Sequence, residues 1–365
     1  MATATSTHSR SLPAEVALAC VGLEATSSSH APMPRAEGAV QLALVDPERI
    51  AVLKACDEAS TAYDPDSFWL IFRIRGRNMR TMLLPIALLV AWGVLWGAVL
   101  EVSEPVRSLV TPLSDVFAPL LTTVAFLLVF RLSRAAVRFW DARAAAGKMV
   151  ESSRILSADV AVACANAPGL RNEFARWIGV FPVAVKNFLR PSHRTCARVA
   201  ELGTLLDGSE IEQLLGPHTC APLLVLTRLR QAAYRVPTEA AVGGAPAMGA
   251  HVYRELVQSI NALTAAWGAL ERINATPLPF VYVAHLRTLL VVYLAVSYLE
   301  ALAAHGWAAL PGLVLSSWAL LGIEAAAIEC ERPFRRRPNH LLLGRFCHVI
   351  AENVAQTLAD AAKPL

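Results

Sequence analysis

Charge is what this chain has least of. Only 17% of its 365 residues are Asp, Glu, Lys or Arg, against roughly 25% in soluble domains, and a mean hydropathy of +0.45 points to lipid. Paired cysteine is missing too. The seven thiols, Cys20, Cys56, Cys164, Cys196, Cys220, Cys330 and Cys347, are odd in number and form no CxxC, so neither a disulfide scaffold nor a zinc site is indicated. They read as small buried residues. No GxSxG, HExxH, P-loop or GxGxxG occurs, and His251 and His285 lack partners at metal spacing. No enzyme, cofactor or metal centre is therefore expected. The net charge of +4 falls in clusters beside apolar spans, without interleaved basic and aromatic strips, so nucleic acid is not an expected partner.

Long apolar runs are what the chain does have. Met82–Leu100 carries no charge in 19 residues, close to the ~20 that a helix needs to cross a bilayer. Leu109–Phe130 is broken only by Asp115 and contains Pro112 and Pro119; it is expected to cross as well, with Asp115 near the interface. Thr288–Leu299 has only 12 uncharged residues, a length that equally suits a buried core helix, and becomes a span only when continued past Glu300 to Ala304. Gly306–Ile323 follows after His305, free of charge for 18 residues, so the last two runs read as a helical hairpin. Spans are placed at about 82–100, 109–130, 285–304 and 306–323.

Flanking charge orients them. Arg73, Arg75, Arg77 and Arg80 precede the first span, and Arg131, Arg134, Arg138 and Arg143 follow the second. Arg287 precedes the third, and Arg332, Arg335, Arg336 and Arg337 follow the fourth. The short connections at 101–108 and 304–306 hold one arginine, Arg107, so both termini and the long middle segment belong on the positive-inside face. Helix-like stretches at 134–166, 171–189 and 250–273 make 134–280 a helical soluble region punctuated by prolines and a Gly243–Pro246 turn. Residues 1–60, rich in Ala, Ser and Thr near the start, read as a transit-like leader or a disordered tail, and 351–365 as a C-terminal tail.

Four blocks then resemble the bestrophin-like family, in its bacterial and plastid branch. They are Ser67–Arg73; Phe130–Arg143, similar to FRxxxAxxRWWEAR; Glu271–Arg287, similar to ERIxxTPIPFxYxxHLR; and Gly322–Asn339, similar to GIExxxxxIExPFGxDxND. The resemblance spans most of 61–350. It implies an all-α membrane protein of four transmembrane helices plus a large helical region on the inner face, assembled as a homopentamer around one axial pore. Thr122, Phe126 and Phe130 share one helix face at i, i+4 spacing, and the resemblance makes that face the pore neck; a Phe pair at this spacing otherwise reads as core or lipid packing. By the same analogy Ile260 is the cytosolic aperture, with burial on an amphipathic helix as the other reading. Arg131, Arg134 and Arg138 either raise local anion concentration or serve topology and pair with Asp141 and Glu329. Glu324 and Glu329 are expected in structural ion pairs.

The function implied is passive conduction of chloride, and of bicarbonate or nitrate, through an aromatic neck. A non-conducting membrane scaffold and a coupled anion transporter are the alternatives. Arg335-Arg336-Arg337 stand where animal relatives carry an acidic calcium-binding run, so no calcium activation is expected at that place. The leader and the plastid-like branch point to a chloroplast thylakoid membrane, with the plasma membrane as the alternative.

Overall fold

The computed structural model describes residues 79–190, 201–203, 205–240, 246–337 and 339–361. The leader at 1–60, the Ser67–Arg73 block, Arg75 and Arg77 and the side chains of Arg80 and Asp115 lie outside them. Ten α-helices are described: α1 Met79–Val102, α2 Glu104–Val110, α3 Leu113–Ala163, α4 Pro168–Leu189, α5 Gly208–Leu215, α6 Ala221–Glu239, α7 Pro246–Ala275, α8 Phe280–His305, α9 Leu310–Glu331 and α10 Leu343–Ala361. Among the described residues, three stretches are long and apolar enough to cross a membrane: Thr81–Val102, Phe117–Ala163 and Phe280–Glu331. The third contains both α8 and α9, separated by a single 3₁₀ turn at Gly306–Ala309.

Two compact units share these helices. The membrane unit comprises 79–145 and 269–341. Every fourth residue of α8 turns inward, giving the buried line Leu286, Leu290, Leu294, Tyr298 and Leu302, which meets Leu89, Leu100, Val124, Leu128 and Leu313. That spacing keeps the residues on one helix face. Tyr298 brings a polar group into this core, and its hydroxyl accepts a hydrogen bond from Ser317 at 3.2 Å. Two glycines four apart let α1 come close: a Cβ at Gly93 would stand 2.4 Å from the Tyr298 ring, and one at Gly97 2.8 Å from Trp307. Small residues at this spacing are a general device for close helix packing in lipid. Gly93→Val is expected to destabilise the protein by about 1–3 kcal/mol through overpacking, read as a lowered melting temperature in detergent; an unchanged melt would show that the Tyr298 ring moves aside freely.

The expected break between span two and the soluble region does not occur. Helix α3 runs unbroken for 51 residues, because between Phe130 and Ala163 the sequence holds no proline and one glycine. It stops before Ala167-Pro168, where the residue ahead of a proline is pushed out of helical geometry. The hairpin turn falls at Gly306, whose φ of +61° favours glycine.

The helical unit comprises the described parts of 146–268 and 342–361. Its centre is α4, buried on nearly all sides: Phe174, Ile178 and Phe181 have no exposed surface, and the polar Arg171, Asn172, Lys186 and Asn187 near its ends are buried as well. It packs against α6 and α10. Lys186 and Glu201 form a buried ion pair at 2.7 Å. Asp207 caps α5 in a reciprocal box with Glu210, which holds the Asp207 carboxyl below its ordinary range through the Glu210 N–H. Residues 351–361, read from sequence as tail, are helix instead: Ala351, Val354 and Leu358 turn into the core from α10. Cys164 is fully buried, and burial pushes its thiol up to about 11. It is expected to resist iodoacetamide at pH 8 in the folded protein and to react after denaturation, as mass spectrometry of the peptide would show.

Candidate functional site

The outward face of α3 carries the residues the sequence singled out. Thr122 is exposed, Phe126 is 60% and Phe130 43% exposed, and the two rings touch at a tilt with centroids 4.6 Å apart. The opposite face buries Val124, Leu128, Arg131, Ala135 and Ala142, so packing inside the unit fixes which way the phenylalanines point. Val137 and Trp140 are exposed about two and three turns further on.

Immediately beside Phe130 the chain changes from apolar to ionic. Arg131 has no exposed surface; its guanidinium contacts Glu324 at 3.3 Å and Glu331 at 2.6 Å. Glu324 is held from its other oxygen by Arg287 at 2.8 Å. Glu331 also accepts the Leu278 backbone N–H, which ties the loop before α8 to the end of α9. Arg138 donates to the carbonyls of Glu331 and Thr276 at 2.9 and 2.6 Å and to that of Ile273, closing the C-terminal end of α7 with a cation. Three guanidiniums and two carboxylates thus bind α3, α7, α8 and α9 together at one level.

This arrangement corrects the expected arginine face. Arg131 and Arg138 are consumed by the network, and only Arg134 of the three is exposed. Their partners differ from those expected too: Asp141 is exposed, and Glu329 is bound by Arg337 at 2.7 Å and His340 at 3.0 Å. Burial holds the His340 ring below its ordinary value, so at neutral pH Arg337 supplies the positive charge. Glu331 was missed. The signal was available, since Glu324 and Glu331 stand seven apart on one helix face, whereas Glu329 does not share it. Ile260 is placed otherwise than the aperture expectation requires: it is wholly buried in the helical unit and has no surface with which to line a conduit. The exposed stripe of α7 is polar, formed by His251, Arg254, Gln258 and Asn261. Among the described residues no group of three His, Cys, Asp or Glu has metal-site geometry.

With that geometry in place, the relatives are informative. A voltage-dependent anion channel-forming protein of Nostoc sp. is 28% identical over 294 residues, covering 79% of this chain and 90% of that protein. One of the same description from Synechocystis sp. is 26% identical over 250 residues, covering 67% and 76%. The crystal structure of a bacterial bestrophin homologue from Klebsiella pneumoniae shares the fold, with a TM-score of 0.67 at 19% identity over 76% of this chain and 98% of that one. The profile of the bacterial/fungal bestrophin proteins matches residues 60–356, and the chain is a membrane protein that belongs to this bestrophin family.

Proposed function

We propose that the protein is an anion-selective channel, a passive conduit rather than an enzyme, assembled as a homopentamer in which α1, the first part of α3, α8 and α9 make four crossings per chain. The observation that carries this reading is the outward face of Thr122, Phe126 and Phe130, which its own unit leaves uncovered while the opposite face is fully packed. Around an axis, five copies of that face form an aromatic neck. Ring edges carry the positive part of the aromatic quadrupole, so such a neck favours weakly hydrated anions without a fixed charge. Chloride, nitrate and bicarbonate are the proposed permeants. Thr122 makes the outer end of the neck more polar and easier to wet. Arg134 is the arginine left to enrich anions near the inner end.

Purified protein in planar bilayers under a potassium chloride gradient tests this directly. The reversal potential is expected to follow chloride; one that follows potassium, or no current at any voltage, would overturn it, the latter in favour of a scaffold. Calcium chelation is expected to leave the current unchanged, because Glu329 is already held by Arg337 and His340 and arginines offer no oxygen ligands; a steep calcium dependence would contradict this. For residence we favour a thylakoid or other plastid membrane over the plasma membrane, supported by the Ala/Ser/Thr-rich start. Fusing residues 1–60 to a fluorescent reporter checks that assignment.

A further inference from the structure

A cavity of ≈ 360 Å³ opens between α8 and α9 in the membrane unit, at the end near the hairpin turn. Its walls are mostly apolar, from Leu294, Ala301 and Leu313, with the side chains of Tyr293 and Tyr298 alongside. One carboxyl group breaks the pattern. Glu300 lines the cavity, and its Oε1 is shielded from solvent with no hydrogen-bond partner. Among the described residues no Arg, Lys or His stands within ion-pair distance of it: the nearby Arg107 gives its Nε to the Ala303 carbonyl at 2.9 Å, and His305 lies at the cavity without pairing. A carboxylate within an apolar span requires a partner, and this one has space beside it in place of a partner.

We infer that this cavity is a binding site for a small organic cation, an ammonium carried on an apolar body. The Glu300 carboxylate takes the ammonium, the partly exposed Tyr293 ring stands beside it for a cation–π contact, and Ala301 and Leu313 receive the apolar part. A bare metal ion fits poorly, since a single carboxylate with serine hydroxyls supplies too few strong oxygen ligands. The Ser297 and Ser316 hydroxyls already donate to backbone carbonyls of their own helices, leaving only weak acceptors. The volume lies at the lower end of the roughly 300–1,000 Å³ of small-molecule sites, which sets the ligand at about the size of an arylalkyl amine.

The test uses the full-length protein in detergent, titrated calorimetrically with phenethylammonium chloride and, separately, with neutral 2-phenylethanol. Binding of the ammonium is expected to weaken about tenfold to a hundredfold in Glu300→Gln, the range for losing a hydrogen bond to a charged group, and the alcohol is expected to bind at least as weakly as that. Ala301→Leu, which fills the cavity and leaves the carboxylate, is expected to abolish binding of both. Equal affinity for amine and alcohol, or wild-type affinity in Glu300→Gln, would overturn the inference and leave Glu300 as a carboxyl that simply keeps its proton. Gln is close in shape to Glu, and an unchanged elution profile separates lost binding from lost folding. The readout is binding and not current, so it stands or falls independently of the conduction assay.

Discussion

Alanine at both Phe126 and Phe130 is expected to raise the chloride current about tenfold at fixed protein density and to weaken discrimination against potassium. An apolar constriction gates by excluding water, and its barrier falls as it widens; a tenfold change corresponds to about 1.4 kcal/mol, a modest demand on two large rings. The two substitutions are expected to be non-additive, since the rings touch at 4.6 Å and neighbouring sites couple. Thr122→Leu should act in the opposite sense, drying the outer neck and lowering the current. Single-channel recording in bilayers distinguishes a larger unitary conductance from a higher open probability. If all three variants conduct like the parent, the exposed face of α3 contacts lipid or another helix, and the neck lies elsewhere.

Arg131→Leu should be the most damaging single change in the membrane unit. It leaves Glu324 with Arg287 alone and Glu331 with no cation, only the Leu278 N–H, next to an apolar core, and removing one member of a buried ion pair costs about 3–5 kcal/mol. Thermal unfolding followed by tryptophan fluorescence is expected to show a large drop in melting temperature or no recoverable protein. Arg131→Lys should rescue only in part, because a single ammonium lacks the planar fork that spans two carboxylates. Arg134→Leu provides the contrast: it is exposed and is expected to change stability by less than about 0.5 kcal/mol while reducing current. Were Arg131 an anion-gathering residue, the pattern would reverse, with current lost and stability kept.

The contrast between Arg131 and Arg134 also shows what the sequence could disclose. The apolar spans, the helix-like stretches and the single face shared by Phe126 and Phe130 follow from composition and 3.6-residue periodicity, which are local properties; the direction in which that face points does not. Partner choice is not local. Arg131 pairs across 193 and 200 positions with Glu324 and Glu331, and nothing in its own neighbourhood distinguishes it from Arg134 except rotation about the helix. Ile260, wholly buried, shows the same limit: an analogy locates a residue along a helix but does not report which side of that helix packs. The continuous α3 was missed because topology rules mark where a chain leaves the membrane, and a helix need not end there. The spacing of Gly93 and Gly97, by contrast, is a local property.

The turn at Gly306 has a consequence during synthesis. Helix α8 is a poor candidate to enter a bilayer alone, with Arg287 near one end and Glu300 near the other, each costing roughly 2.5–3.5 kcal/mol if it reached the centre of the membrane. Helix α9 is strongly apolar, and only four residues separate the two. The tight reversal therefore makes the pair the unit that is inserted, with the later helix drawing in the earlier one. A residue that strains this corner would be felt first by the translocation machinery, before any anion had a route to follow.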